Sequence, residues 1–474
     1  MNSKTKYFLL FLVCAVLATL SAYPRAGGAG GSLSHSSGGS GGGGLGSAIA
    51  WFFLLPGPVK IIILLAVAGY FVYKYMNKGK SGGTDMEGGS SAGPSGAPEP
   101  ISSDFIAANP GFDQQAFIRK VNTAFLAIQD AWQNKNLAKV RRWISDGVYQ
   151  RFNAQFTMMN LLEQTNILSN IKIKQIRIES AAREGDYSII TASVYFRMDD
   201  NFICKRHPEF DEKFTGDEAT EYWTFIKKSG VAEKDLYNSN VCPKCGFPSN
   251  DKGGQVSQCE SCGTVTYLGD YDWVLCEITQ EEDYKKDAVA RLTPQNPSLQ
   301  PLYTDKGADF SIQLMEDKAS NAIMQYFISR VTRDLKYVRR FTSDELFSSI
   351  ESKLKGEDKF IYNRLYLNSV NLVGCVESNN IYYAVFKINY SSMRLKEEPG
   401  GKLVKLDQTV IERGMQLTLA KKAGAVQKTK LWSAACPACG APFTDTTLTQ
   451  CDYCGAKINS SDNDWVMTQL NLED

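Results

Sequence analysis

Cys242-Pro-Lys-Cys245-Gly246 and Cys259-Glu-Ser-Cys262-Gly263 return later in the chain as Cys436-Pro-Ala-Cys439-Gly440 and Cys451-Asp-Tyr-Cys454-Gly455. Paired C-x-x-C turns at this separation suit a tetrahedral Zn²⁺ ion that is held by four thiolates. The glycine after each pair lets the backbone turn tightly behind the sulfurs. The two quartets therefore predict two structural Zn²⁺ ions. The alternatives are paired disulfides, which need an oxidising compartment, or a redox dithiol, which needs no second pair.

The sequence around the quartets indicates an internal repeat. Three pairs of segments match: Trp223-Thr-Phe-Ile-Lys-Lys-Ser-Gly230 with Leu417-Thr-Leu-Ala-Lys-Lys-Ala-Gly424, Asp272-Trp273-Val274 with Asp464-Trp465-Val466, and Val140-Arg-Arg-Trp-Ile-Ser-Asp146 with Val338-Arg-Arg-Phe-Thr-Ser-Asp344. The repeating unit is thus a set of helices, strands, a cysteine ribbon and a final strand.

The N-terminal part of the chain predicts a membrane anchor. Residues 1–22 read as a signal peptide, with an uncleaved signal anchor as the alternative. Residues 23–47 are rich in Gly and Ser, residues 48–77 form an apolar transmembrane segment, and residues 78–103 form a flexible linker. Lysines follow the apolar segment, so the positive-inside rule predicts a single-pass protein of the inner (plasma) membrane with cytoplasmic C-terminal domains. A reducing cytosol would also keep the cysteines free for zinc.

Hydrophobic periodicity predicts an α+β fold for the remainder. Phe117, Val121, Phe125, Ile128 and Trp132 recur at helical spacing, and a second helix is expected from Leu137 through Val148 towards Met158. Residues 171–178 alternate strictly, as in a strand with one wet face, and three more strands are expected at 187–198, 221–227 and 272–278. In the second copy, helices at 322–331 and 338–350 precede strands at 365–373, 381–390, 408–420 and 464–470. Each copy predicts helices packed on one face of a four-stranded antiparallel meander.

Phe117-Ile-x-x-Val121, Val140-Arg-Arg-Trp143 and the predicted curved sheet resemble bacterial Tim44-like proteins, which share a domain with a mitochondrial inner-membrane import subunit. The resemblance covers residues 112–280 and, more weakly, 310–472. It implies tandem cystatin-like cones, as in nuclear transport factor two, and a membrane-associated tether without chemistry of its own. The expected domains are 104–282 with a zinc ribbon at 240–264, a linker at 283–307, and 308–474 with a zinc ribbon at 434–456.

The composition argues against catalysis. The chain has two histidines and a formal net charge of +1, which disfavours His-based chemistry and a whole-chain attraction to nucleic acid. We therefore predict a non-enzymatic scaffold that binds a protein or a membrane surface, with a role in protein transport. The alternative is a ligand sensor or enzyme that uses the cone cavity. Its candidate residues, each of which also has a structural interpretation, are Asp146, Tyr149, Tyr187 and Tyr195.

Local basic groups give phospholipid headgroups as a candidate partner. Arg141-Arg142 and Arg339-Arg340 recur in both copies, either as an anion site or as a solvated helix face with one arginine paired to a local carboxylate. A second basic patch is predicted at Lys172, Lys174 and Arg177. His207, near Cys204 and Glu209, is interpreted as a solvated loop histidine and not as a metal ligand.

Overall fold

The computed structural model describes residues 97–248, 254–287, 291–305, 310–398, 400–425, 436–441 and 447–472. The predicted signal peptide, Gly/Ser-rich segment and transmembrane segment, and most of the first linker, lie outside these residues. Within the described residues, no helix has the length and apolar character that a bilayer crossing requires. The predicted localisation is corrected accordingly: the structure gives no support to a single-pass protein of the inner membrane with cytoplasmic C-terminal domains.

The first half of the described chain, residues 97–287, places helices before and after an antiparallel sheet. Its helices are α1 (Ser103–Ala108), α2 (Gln114–Gln133), α3 (Asp146–Leu161) and α4 (Glu281–Asp287). Its strands are β1 (Gln164–Glu184), β2 (Tyr187–Cys204), β3 (Glu212–Lys228) and β4 (Val274–Gln280). The strands pair in the order β1-β2-β3-β4, which is the predicted meander.

The second half, residues 291–472, repeats this order. Its helices are α5 (Gln300–Thr304), α6 (Ile312–Thr332), α7 (Lys336–Arg339) and α8 (Asp344–Gly356). Its strands are β5 (Phe360–Ser378), β6 (Ile381–Glu397), β7 (Leu403–Lys405), β8 (Ile411–Lys422) and β9 (Val466–Leu472). They pair in the order β5-β6-β8-β9, and the short β7 pairs with β6. The predicted mixture of helices and antiparallel sheets is therefore confirmed.

The first strand of each sheet is interrupted at the same three places. Register shifts in β1 fall at Ser169/Lys172, Ile173/Gln175 and Ile178/Ser180, and those in β5 fall at Asn363/Tyr366, Leu367/Ser369 and Leu372/Gly374. Each bulge adds local twist and bends the strand. The two long edge strands therefore bend at corresponding positions.

The predicted second helix differs from the observed one. Instead of one helix from Leu137, the chain turns between residues 137 and 143 and starts α3 at Asp146. Ser145 is the N-cap, because its hydroxyl accepts a hydrogen bond from the Val148 amide. Ile144 pairs with Leu275 in an isolated parallel bridge, which the helix would have prevented.

Helix α6 lies at the centre of a core that both halves share. Every residue from Ser311 to Val331 is buried, including Glu316, Asp317 and Lys318. One hydrophobic cluster contains residues of α3, β2 and β4 from the first half together with α6 and the second sheet. The stretch predicted as the 283–307 linker contributes Leu299 and Leu302 to the same cluster, and neither has exposed surface. The two halves are thus packed through a continuous apolar interior.

Candidate metal centres

Each predicted cysteine quartet comes together in space. The sulfurs of Cys242 and Cys262 are 3.7 Å apart, as are those of Cys245 and Cys259. In the second quartet the corresponding distances are 3.8 Å between Cys436 and Cys454, and 3.7 Å between Cys439 and Cys451. Within each quartet, all four sulfurs lie within 4.8 Å of one another.

These distances fit a metal and not a disulfide. A sulfur tetrahedron with metal–sulfur bonds of about 2.3 Å, the value for zinc, has edges of about 3.8 Å. A disulfide would bring two sulfurs to about 2.05 Å. The described cysteines are free of disulfides. Each quartet can therefore hold a metal ion such as Zn²⁺.

The backbone of each C-x-x-C turn supports this arrangement. The four glycines that follow the pairs have positive φ angles, +73° at Gly246, +70° at Gly263, +81° at Gly440 and +70° at Gly455. In each turn the glycine amide donates to the carbonyl of the first cysteine, for example Gly246 to Cys242 at 2.9 Å. A side chain at these positions would be strained, which explains why glycine occurs at all four.

The cysteine segments are inserted where the sequence predicts them. The first cysteine segment (residues 240–264) lies between β3 and β4, and the second (residues 434–456) lies between β8 and β9. Short bridges close the turns, at Val241–Pro248, Gln258–Val265 and Gln450–Lys457. The quartets therefore lie outside the sheets, in the connections that lead to the last strand of each half.

Two arginines attach the first cysteine segment to the helices. Arg142 donates to the carbonyls of Ser239 and Val241, the latter at 2.7 Å. Arg141 donates to the Gln255 carbonyl at 2.7 Å and stacks on the ring of Tyr267, with 3.4 Å between its Cζ and the ring centroid. Both guanidinium groups are buried.

Arg141 also pairs with the carboxylate of Asp146. The predicted pairing of one arginine with a local carboxylate is therefore confirmed, whereas the predicted solvated helix face is wrong. Neither side chain is presented to an external phosphate, because both are buried beneath the first cysteine segment.

In the second half, Arg339 occupies the position that corresponds to Arg141 and makes the corresponding ion pair. Arg339 pairs with Asp344, as Arg141 does with Asp146, and also lies over the Phe347 ring at 4.6 Å. Lys457, the residue directly after the second cysteine segment, donates to Asp344 at 2.5 Å. Hydrogen bonds from Lys457 and Arg339 lower the pKa of Asp344 to about 2. Asp344 thus links the start of α8 to the second cysteine segment.

A further repeated ion pair was missed by sequence reasoning. Lys120 of α2 pairs with Asp272, and Lys318 of α6 pairs with Asp464. Both aspartates precede the last strand of their half. The aspartates belong to the matching Asp-Trp-Val segments, so their repetition was visible in the sequence. Their lysine partners lie in helices far away in sequence, and no sequence pattern connects them to the aspartates.

The candidate residues for a ligand cavity do not form one site. Asp146 and Tyr149 lie beside Arg141, whereas Tyr187 belongs to the core shared by both halves. Tyr195 donates to Glu218 on the outside of the sheet.

The space between helices and sheet in the first half is filled by aromatic rings. Phe125 packs on Phe196 and Trp223, at centroid distances of 4.7 and 5.5 Å. A cavity of about 20 Å³ lies between Trp132, Gln155 and Arg364, and it has room for a single water molecule.

The remaining sequence candidates are separate from the quartets. The Nδ1 atom of His207 lies 3.2 Å from Glu209, and the Cys204 thiol instead donates to the Leu162 carbonyl. Lys172 and Lys174 are exposed on β1, as the alternation predicts. Lys174 pairs with Glu218, and Arg177 pairs with Glu179.

Residues 101–236 match the family model of the Tim44-like domain. The matched residues include α1, α2, α3 and the first three strands of the first half. The resemblance to Tim44-like proteins, which was predicted from the helix motifs, is thus confirmed for residues 101–236. The Tim44-like match stops before Cys242, so the first quartet lies outside the matched residues.

Comparison with solved structures includes a protein described as an "Ntf2 like protein involved in plasmid conjugation". It shares 8% sequence identity with this chain, and the match covers 64% of this chain and 78% of that one at a TM-score of 0.16. At that TM-score we draw no argument from it. No curated protein matches the chain.

Proposed function

We propose that the chain is a non-enzymatic scaffold that binds another protein during protein transport or translocation. The Tim44-like match at residues 101–236 carries this proposal, because this domain suggests such a role. A Tim44-like domain also fits a peripheral association with a membrane. Phospholipid headgroups are therefore a second candidate ligand of the same domain.

The interior supports binding at the surface over catalysis inside. An enzyme of this shape needs an enclosed polar cavity with a catalytic carboxylate or tyrosine. Here aromatic side chains fill the space between the helices and the sheet of the first half. The cavity beside Trp132 has room for one water molecule, which is too little for a substrate.

We also propose that the two halves are duplicated NTF2-like cones, each stabilised by one structural Zn²⁺ in a zinc ribbon. The matching bulges of β1 and β5 and the matching ion pairs support the duplication. Zinc is supported by the sulfur distances, and its role is structural because four thiolates leave no coordination position for water or substrate.

Metal analysis of the purified full-length protein tests the zinc proposal. We expect two Zn²⁺ per chain, and we expect Cys245→Ser to lower the content to one. Cys375→Ser is the matched control, since this thiol lies in β5 outside the quartets and its loss should leave both ions. A folded, zinc-free protein or a Cys245→Ser variant with two ions would overturn the assignment.

Proximity labelling tests the transport role. A biotin ligase fused to the C-terminus of the full chain should enrich components of a protein-translocation machinery over a ligase expressed alone. Enrichment that does not differ from the ligase alone would contradict the proposed role.

A further inference from the structure

The two cysteine quartets share one backbone arrangement but differ beside their last cysteine. Cys262 of the first quartet accepts a hydrogen bond from the amide of Thr264, and Cys454 of the second accepts one from the amide of Ala456. In both turns the glycine amide donates to the carbonyl of the third cysteine at 2.9 Å. Thr264 and Ala456 therefore place different side chains on two turns that match in their backbone.

The side chain of Thr264 adds a second hydrogen bond to Cys262. Its hydroxyl oxygen lies 3.1 Å from the Cys262 sulfur. A thiolate that binds a metal ion has no proton to give, so the hydroxyl is the donor. Ala456 has no hydroxyl group and cannot supply this bond to Cys454.

Cys454 is also easier to reach than its counterpart. Cys454 is exposed, whereas Cys262 is half-buried and the Thr264 beside it is buried. Oxidation of a cysteine depends on both the thiolate character of its sulfur and its access to solvent. Exposure therefore favours reaction at Cys454 over reaction at Cys262.

The charges near the two quartets act in the same direction. Lys244 lies between the first two cysteines of the first quartet, where the second quartet has Ala438. Its positive charge stabilises the thiolates of the first quartet, although water screens a charge on an exposed side chain. Acidic residues occur at the same position of both quartets, Glu260 and Asp452, and do not distinguish them. We therefore assign the larger part of the difference to the Thr264 hydroxyl.

A hydrogen bond to sulfur reduces the reactivity of a thiolate that is already deprotonated. The bond draws electron density towards its proton, and the sulfur lone pair is then less available for attack on an electrophile. For such a thiolate, lower basicity means lower nucleophilicity. The Thr264 hydroxyl therefore protects Cys262, whereas Ala456 leaves Cys454 without this protection.

We propose that Cys454 is a modification site at which hydroperoxides oxidise the second quartet, while the Thr264 hydroxyl keeps the first quartet intact. The second half thereby carries the oxidant-sensitive metal centre. This inference rests on the proposed zinc assignment, for which it specifies the centre that reacts and the thiolate that reacts first.

The oxidation takes place in two steps, shown here for hydrogen peroxide. The Cys454 thiolate attacks one peroxide oxygen and the O–O bond breaks, which leaves a sulfenic acid and a hydroxide ion. A second thiolate of the quartet, such as Cys436 with its sulfur 3.8 Å away, attacks the sulfenic sulfur, and a disulfide forms as a second hydroxide ion leaves. The two thiolates lose two electrons and the peroxide gains them. The quartet then lacks the four thiolates that hold its Zn²⁺.

Time-resolved mass spectrometry of the full-length, zinc-loaded protein tests this difference. Hydrogen peroxide is added to one sample and N-ethylmaleimide to another, and the modification of each cysteine peptide is followed together with the released Zn²⁺. We expect Cys454 to react before Cys262, and one Zn²⁺ per chain to be released ahead of the other. Thr264→Val removes the hydroxyl at nearly constant volume and should accelerate the reaction of Cys262 by about three- to tenfold.

The reciprocal change installs the hydroxyl in the second quartet. Ala456→Thr should slow the reaction of Cys454 with both reagents, and Ala456→Val is the matched control because it adds the same bulk without a donor. We expect the threonine variant to react about threefold or more slowly than the valine variant. Thr266→Ala is a second control, since this buried hydroxyl has no hydrogen-bond partner in the described part of the chain and its loss should leave the rate at Cys262 unchanged.

Equal rates at Cys262 and Cys454, or a faster reaction at Cys262, would overturn the proposal. Equal rates in Ala456→Thr and Ala456→Val would also overturn it, and this pair decides the outcome if Thr264→Val loses its metal during purification. The result is separate from the zinc assignment. A protein without Zn²⁺ refutes that assignment, whereas two Zn²⁺ that are released at equal rates leave it standing and refute this inference alone.

Discussion

Gly147 at the start of α3 lies directly against Asp317 of α6, and its amide donates to the Asp317 carboxylate at 3.2 Å. A Cβ atom placed on Gly147 would lie 2.6 Å from the backbone carbonyl oxygen of Asp317. The same carboxylate accepts a hydrogen bond from the Ser145 hydroxyl. An acidic side chain of the second half thus caps a helix of the first, and that contact requires glycine.

Gly147→Ala should destabilise the protein by about 1–3 kcal/mol, because the added methyl group meets the backbone of a buried helix that cannot move aside. Urea denaturation measures the change in the free energy of unfolding. Gly356→Ala is the control, since a Cβ there meets no atom within 4 Å. An unchanged stability of the Gly147→Ala variant would show that α3 and α6 are farther apart than the structure places them.

The stability of the protein should fall as the pH rises towards the alkaline range. Burial raises the pKa of Asp317 from its usual 3.8 to about 8 and that of Glu316 from 4.5 to about 7. The folded protein therefore holds these protons more tightly than the unfolded chain does. Stability from this source is fully present below pH 4 and is lost as the pH rises through about 7 to 8.

Asp317→Asn removes one of these titrations. The difference in unfolding free energy between pH 6 and pH 9 should be smaller in this variant than in the unaltered protein, with Glu316 retaining part of it. Asp334→Asn, a change at a partly exposed carboxylate in the same half, should keep the full difference. Equal differences in all three proteins would contradict the buried, protonated state of Asp317.

Arg142→Ala should release the first cysteine segment from the helices without loss of zinc. The carbonyls of Ser239 and Val241 lose a charged donor, and a hydrogen bond of this kind contributes about 1.5–3 kcal/mol. Hydrogen exchange of residues 239–248 should accelerate while the zinc content stays the same. Arg119→Ala, which removes an exposed arginine, should leave the exchange unchanged; acceleration in both variants would argue against a specific anchor.

Unfolding should involve both halves in one transition. Ile388→Ala in β6 removes a fully buried side chain of the second sheet and should cost about 2–5 kcal/mol. Pulse-labelling hydrogen exchange in urea should show α2 of the first half losing protection at the same lowered urea concentration as β6. An α2 transition that stays at its original midpoint would mean that the halves unfold independently.

Local patterns predicted the parts of the structure that depend on neighbours in sequence. The C-x-x-C-G turns bring each quartet together, and the alternation around Lys172 and Lys174 gives an exposed strand face. Both follow from backbone geometry over a few residues. The predicted bounds of β1 and β5 were too short. The ends of these strands are held by pairing with β2 and β6, and the alternation pattern carries no information about that pairing.

Contacts between distant segments were not predictable in this way. Helix α6 has polar residues on several sides, which indicates a solvated face, yet Glu316 and Asp317 are buried because α3 and Arg291 supply their partners. Arg141 looked like a surface arginine for the same reason, since its partner Tyr267 follows much later in the chain. The Lys120–Asp272 pair required the folded sheet to bring its members together.

The burial of α6 has a consequence for synthesis of the chain. Translation proceeds from the N-terminus, so α3 leaves the ribosome well before residues 312–332 exist. Until those residues emerge, Gly147 and Arg151 of α3 lack their partners Asp317 and Ser320. The apolar α3 residues Ala154 and Met158 likewise lack the α6 side chains of the shared core. The nascent first half therefore exposes apolar surface to water until α6 has been synthesised. During this interval aggregation or chaperone binding competes most strongly with folding.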